Sequence, residues 1–220
     1  MHTRFPRAIL AIGRNYADHA AEMGGRTDER PMVFMKNPAS ACGPSDTIVI
    51  PPICRHGGPQ VDYEGELAFE IGQDCRDVPE SDALSVLAGY RVANDVSARW
   101  WQKEGSGGQF CRGKSFDTFC PLGPLVPAAD IPDPHVLEIE TILNGARVQH
   151  SNTSMMVFRV PYLIAELSRG MTLLAGTIVL TGTPAGVGAG RKPPLFLKDG
   201  DVIEVKISGV GHLRNLVREA

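Results

Sequence analysis

The chain has no C-x-x-C pair: Cys42, Cys54, Cys75, Cys111 and Cys120 are odd in number and well separated, which excludes a zinc knuckle and a disulfide framework. A reducing, cytoplasmic setting is expected. It also lacks an excess of basic residues. With 22 Lys and Arg against 25 Asp and Glu, interspersed, and a formal net charge of -3, it carries no footprint for nucleic acid and no polybasic membrane anchor. The opening MHTRFPRAILAIG reaches charged residues too soon for a secretory signal. The uncharged run from Gly170 to Gly190 is broken by six glycines, four threonines and Pro184, so it reads as strand and loop, not as a membrane span. Absent too are the G-x-S-x-G elbow, the H-E-x-x-H helix and the G-x-G-x-x-G strand-turn-helix, and with them the commonest hydrolase, zinc-protease and dinucleotide readings. What remains is a 220-residue chain of ordinary apolar content, sized for one domain that works on a small molecule.

Against these absences stands VDYEGELAFEIG, residues 61–72. Val61, Tyr63, Leu67, Phe69 and Ile71 are apolar while Asp62, Glu64, Glu66 and Glu70 are acidic, a period of two that predicts a strand with one apolar face. Asp and Glu are poor strand formers and like charges repel across such a face, so it either meets water or holds a cation. Same-face neighbours on a strand are about 7 Å apart at their bases, close enough for Glu64 and Glu66 to converge on one ion. Asp95, in Asn94-Asp95-Val96-Ser97-Ala98-Arg99, could approach from a neighbouring strand end. Three carboxylates without cysteine or clustered histidine suit magnesium or manganese better than zinc.

Elsewhere the pattern predicts a strand over Ala8–Ile12 and a helix from Tyr16 to Met23, with Asn15 as its N-cap and Gly24-Gly25 as its stop. Strands are expected at Met32–Met35, Thr47–Ile50 and Gly89–Asn94, and short helices at Ser81–Leu87, Ala98–Lys103 and Pro161–Ser168. Asn144-Gly145 signals a tight hairpin between Val136–Leu143 and Ala146–Gln149, and Asp201–Ile207 with His212–Val217 forms another. Strands dominate.

Three further groups could carry chemistry. His19 and Glu22, three apart on one helix, can form a carboxylate–imidazole pair that takes a proton from water, although such a pair is also common on a plain polar helix face. Thr181-Gly182-Thr183-Pro184 ends the Thr177–Leu180 strand in a turn whose N–H groups and hydroxyls can cradle a carboxylate. GQFCRGKS, residues 108–115, matches the phosphate-loop pattern, but a helical stretch and a glycine-rich loop precede it and Pro121 and Pro124 follow it. That context argues against nucleotide binding and leaves Lys114 as a cation near a polar site.

Taken in order, Gly13-Arg14-Asn15-Tyr16-Ala17-Asp18-His19 with Glu22, Glu64-x-Glu66, Asn94 to Arg99, Gly113-Lys114-Ser115-Phe116-Asp117 and Leu180 to Pro184 resemble the fumarylacetoacetate hydrolase family, and in particular its short, single-domain acylpyruvase and oxaloacetate decarboxylase members. The resemblance spans nearly the whole chain. It implies an α+β, strand-dominated mixed β-roll forming one catalytic domain over residues 1–220, with residues 1–55 carrying the His19/Glu22 helix and residues 56–220 the metal-binding core. It implies a homodimer, magnesium or manganese on Glu64, Glu66 and Asp95, a water-activating His19–Glu22 dyad, Lys114 as a catalytic cation, and Arg14, Gln102 and Thr183 at the substrate. The expected activity is hydrolysis of a carbon-carbon bond in an acylpyruvate such as acetylpyruvate or fumarylpyruvate, through an enolate. Decarboxylation or isomerisation of related oxo or dienoate acids is the alternative, because those reactions pass through the same enolate.

Overall fold

The computed structural model describes residues 5–220, whose two main sheets share one core. Across the larger sheet the order is Val126–Pro127, Leu87–Asn94, Gly65–Ile71, Thr177–Leu180, Ala8–Gly13 and Met32–Lys36. Ala8–Gly13 runs parallel to Thr177–Leu180 and the other pairings are antiparallel, so the sheet is mixed. The second sheet orders Ala146–Asn152, Glu138–Leu143, Val202–Ile207, Gly211–Glu219 and Ile48–Ile50. Both predicted hairpins form within it. Asn144 and Gly145 take φ of 51° and 82°, the pair of positive values that a two-residue turn of matching twist requires. No helix among the described residues is long and apolar enough to cross a membrane.

Alternation along the strands builds the core. Leu67, Phe69 and Ile71 join Tyr90 and Val92 against Ile139, Val205, Ile207 and Leu213 of the second sheet, and the Val160–Ser168 helix adds Leu163, Ile164 and Leu167. Ala68 and Ala93, on the opposite face of the larger sheet, are covered by Phe34, Cys120 and Leu122. The Gly65–Ile71 strand is therefore buried on both faces. A carboxylate there cannot be a wet-edge device.

Several local expectations need correction. The acidic stretch is two strands: Val61–Asp62 pairs with Ser97–Ala98, whereas Gly65–Ile71 lies between Leu87–Asn94 and Thr177–Leu180. The switch of partner falls at Tyr63-Glu64 and breaks the single period that the composition implies. Glu80–Val86 is a 3-10 helix, and the helix expected over Ala98–Lys103 contracts to Arg99–Gln102 behind the Ser97–Ala98 strand. Asn15 does not cap the Ala17–Glu22 helix. Tyr16 occupies that position with no side-chain cap, and the buried Asn15 amide instead donates to Phe158 O (3.0 Å) and Thr181 O (2.7 Å) and accepts from Phe158 N (2.6 Å). It thereby ties the chain entering the helix to the end of the Thr177–Leu180 strand. Asn15→Ala strands these backbone groups, and urea unfolding is expected to show a loss of about 3 kcal/mol; a change confined to a few tenths would refute the tie.

Candidate active site

The first bond beyond the Gly65–Asn94 pair brings the acidic residues together: Asp95 N–H donates to Glu64 O at 2.8 Å, while Glu64 N–H donates to the Asn94 side chain at 3.0 Å. Ligand oxygens of Glu64, Glu66 and Asp95 lie within 4.8 Å of one another, all buried. The threonine-rich turn closes over the same strand. Thr181 N–H and hydroxyl both donate to Leu67 O, Gly182 N–H donates to Glu66 Oε2 (2.7 Å), and Thr183 hydroxyl donates to Gly65 O (2.9 Å). Gly182 has φ of 95°, and a Cβ there would press on Asn15, so the close approach needs glycine.

Three buried cations reach these carboxylates. Lys114 Nζ donates to Glu64 Oε2 (2.7 Å), Asp95 Oδ2 (2.6 Å) and Ser97 Oγ (2.7 Å). Lys36 Nζ, from the outer strand, donates to Asp95 Oδ1 (2.5 Å) and Phe119 O (2.9 Å). Arg99 Nη1 reaches Glu64 Oε1 at 2.7 Å. Burial by itself would raise the Glu64 carboxyl, but the charges of Lys114 and Arg99 outweigh it and hold the group down at about 2. Glu66 behaves oppositely. No ion pair to it exists among the described residues, and burial, then the charges of Asp95 and Glu64, push its carboxyl above the usual range against Lys114 and the Gly182 N–H. An all-oxygen cluster with one uncompensated carboxylate fits a hard divalent ion such as magnesium or manganese.

The cluster opens into a cavity of about 110 Å³ whose wall includes Arg14, His19, Glu64, Glu66, Arg99, Gln102, Lys114 and Thr183, with Met23, Phe34, Lys103 and Phe110. Of the nine residues assigned a catalytic, substrate or metal role from the sequence, seven line that wall; Asp95 is buried against its Lys114 and Glu22 stands behind His19. His19 Nδ1 is 3.4 Å from Glu22 Oε2, and Glu22 also accepts from Gly186 N–H at 3.0 Å. Burial raises the Glu22 carboxyl, yet the His19 and Gly186 hydrogen bonds bring it below its ordinary value. Arg14, at φ 55°, sits half exposed at the rim, 3.8 Å from Asp28. The Thr183 hydroxyl is already engaged, since it also accepts from Gln149 Nε2 at 2.8 Å.

Within GQFCRGKS a short helix, Phe110–Gly113, lies inside the motif and no strand precedes it, while Lys114 is committed to carboxylates. That is not the geometry of a phosphate loop. Lys36, Asp62 and Ser97 are site residues that the sequence reasoning left without a role, and Arg99 was seen only as part of a motif. Glu70, by contrast, pairs with Arg91 at 2.8 Å, beside a separate crevice of about 920 Å³ that contains none of the predicted site residues.

A mixed-sheet fold with a buried acidic triad, a lysine across it and a His–Glu pair on a neighbouring helix defines the class. Residues 8–218 match the model of the fumarylacetoacetate (FAA) hydrolase C-terminal domain, and the chain belongs to the fumarylacetoacetate hydrolase family. It is 48% identical over 213 residues to a mitochondrial oxaloacetate tautomerase of Xenopus laevis and 46% identical over 213 residues to its counterpart from Rattus norvegicus; each alignment covers 96% of this chain and 66% of the relative. The chain thus spans slightly less than two thirds of the length of those two relatives. Among solved structures it is similar to a fumarylacetoacetate hydrolase from Exiguobacterium antarcticum, with 46% identity and a TM-score of 0.87 over 98% of this chain and 76% of the other. It is also similar to 5-carboxymethyl-2-hydroxymuconate delta-isomerase from Mycobacterium smegmatis, with 40% identity and a TM-score of 0.85 over 98% and 80%.

Burial and the charges of Asp95 and Glu64 push the Glu66 carboxyl above the usual range, so a divalent ion that takes the carboxylate competes with a proton there. Affinity for magnesium or manganese is therefore expected to rise with pH through the Glu66 titration, with proton release visible by calorimetry in buffers of different ionisation enthalpy. Glu66→Gln removes the release and lowers affinity by more than the roughly 10–100-fold typical of residues one shell further out. Binding that is independent of both pH and Glu66 would contradict the assignment.

Proposed function

We propose that this protein is a divalent-metal-dependent enzyme that moves a proton on a short 2-oxo acid, interconverting keto and enol forms, with oxaloacetate as the substrate of first choice. The observation that carries this reading is the juxtaposition, around one small cavity, of the uncompensated Glu66 carboxylate, the Lys114 ammonium and the His19–Glu22 pair. A cavity of about 110 Å³ is small beside the roughly 300–1,000 Å³ of ordinary ligand pockets, which favours a short oxo acid over a long dienoate. The names of the amphibian and rat relatives point the same way.

Glu64, Glu66 and Asp95 would hold magnesium or manganese, which when bound acts as a Lewis acid toward the oxo and carboxylate oxygens of the substrate. His19, oriented through Nδ1 by Glu22, accepts at Nε2 the proton from the carbon beside the oxo group and returns it to the oxygen where charge accumulates. Lys114 contributes through its charge. Its three N–H groups are already taken by Glu64, Asp95 and Ser97, so it stabilises the oxyanion without donating a proton to it. Arg99 and Gln102, hydrogen-bonded to each other at 3.0 Å, and Arg14 at the rim present polar groups to the substrate carboxylates.

The His19–Glu22 geometry also favours a second reading, hydrolysis of a small acylpyruvate, in which the same Nε2 takes its proton from water. A homodimer in a reducing cytoplasm belongs to the proposal: the outer Met32–Lys36 strand turns Val33 and Met35 to solvent, an edge that suits a second copy. The purified protein with magnesium is expected to accelerate decay of the ultraviolet absorbance of enol-oxaloacetate, and His19→Ala to lower kcat by about 100-fold or more. Acceleration of acetylpyruvate cleavage with none of oxaloacetate tautomerisation would select the second reading, and inactivity toward both would overturn each.

A further inference from the structure

Asp62 belongs to the acidic stretch but not to the triad, and its surroundings are unlike those of a surface carboxylate. It has no exposed area. Its Oδ2 accepts from Arg99 Nε (2.8 Å), Arg99 Nη2 (2.7 Å) and Ala189 N–H (2.9 Å), and its Oδ1 from Gly188 N–H (2.7 Å) and its neighbour Tyr63 N–H (2.9 Å). Five donors on one carboxylate leave it a single orientation. A Cβ on Gly188 would fall 2.6 Å from Asp62 Oδ1, so the loop can come this close only with glycine there.

The guanidinium is divided accordingly. Nε and one N–H of Nη2 go to Asp62, and the two N–H groups of Nη1 go to Glu64 Oε1 (2.7 Å) and Gln102 Oε1 (3.0 Å) at the cavity wall. A planar fork can serve acceptors on two sides at once, which a lysine ammonium on a flexible stem cannot do with the same fixed geometry. A buried ion pair is in general a poor source of stability, because desolvation of both charges offsets their attraction. What the Asp62–Arg99 pair does supply is a fixed direction for the third nitrogen.

We propose that Asp62 is a positioning residue: clamped by the Gly188-Ala189 backbone, it sets the Arg99 guanidinium so that Nη1 fixes both the metal ligand Glu64 and Gln102, whose amide faces the bound oxo acid. The ligand half of this statement rests on the oxo-acid reading above, whereas the Glu64 half does not.

The test is a double-mutant cycle of Asp62→Asn and Arg99→Met, read by calorimetry with two probes. One is manganese alone, and the other is oxalate, a planar dianion shaped like the head of a 2-oxo acid, added to magnesium-loaded protein. Asp62→Asn in the wild-type background is expected to weaken oxalate binding about tenfold or more, the size of a charge-assisted hydrogen bond lost when Gln102 and Glu64 are no longer held in place, and to weaken manganese binding measurably. In the Arg99→Met background it is expected to change neither affinity. A purely structural role would lower thermal stability in both backgrounds without this non-additivity, so additive losses overturn the proposal. Wild-type protein that takes manganese but no oxalate counts against the functional reading alone, and the manganese arm then decides the role of Asp62. Should Asp62→Asn not fold, Arg99→Lys keeps the buried charge balanced: manganese and oxalate affinities reduced as in Arg99→Met support the positioning role, and wild-type affinities overturn it.

Discussion

Everything in this molecule answers to the desolvation of four carboxylates, Asp62, Glu64, Glu66 and Asp95, gathered where the Gly65–Ile71 strand begins between two other strands. Each buried ion costs several kcal/mol even after relaxation, and a fold that accumulates four of them has to supply compensation from within. It does so unevenly. Lys36 and Lys114 take one oxygen each of Asp95, Lys114 and Arg99 take Glu64, Arg99 with three backbone N–H groups takes Asp62, and Glu66 is left with the Gly182 N–H and no cation among the described residues. The imbalance is located at the cavity, where an incoming divalent ion can correct it.

This constraint explains features that otherwise look unrelated. The outer Met32–Lys36 strand is held to the site because its last residue is a buried lysine on Asp95. The Gly182 and Gly188 loops approach the strand closely because backbone N–H groups are the remaining donors that can enter without adding side-chain bulk. The Ala17–Glu22 helix is short and lacks a capping side chain, yet it is docked by Glu22 on Gly186 N–H and by the Asn15 amide at its entrance.

Much of this was legible in the sequence. The two hairpins and the positions of several strands were read from alternation and turn residues, Glu64, Glu66 and Asp95 stood out as carboxylates that could meet, and the ordered motifs pointed to the family. Lys36 was not legible, since a lysine ending a strand of alternating exposure looks like a solvated edge until the pairing of Ala8–Gly13 turns it inward. Asp62 received no role, since the period of two placed it on the same acidic face as Glu64 and Glu66 without showing what it would meet. The break at Tyr63-Glu64 and the second pairing to Ser97–Ala98 are tertiary events that no local pattern encodes. Asn15 illustrates the same limit: its residue type suits a cap, but three backbone groups distant in sequence compete for it and win.

On this reading the buried triad is a divalent-metal site and not an ion-pair network complete in itself. Anomalous diffraction from crystals grown with manganese tests it most directly. One strong manganese peak, ligated by Glu64, Glu66 and Asp95 beside the His19 cavity, is expected. Crystals whose protein carries no manganese there, with the triad satisfied by Lys36, Lys114 and Arg99 alone, would contradict it.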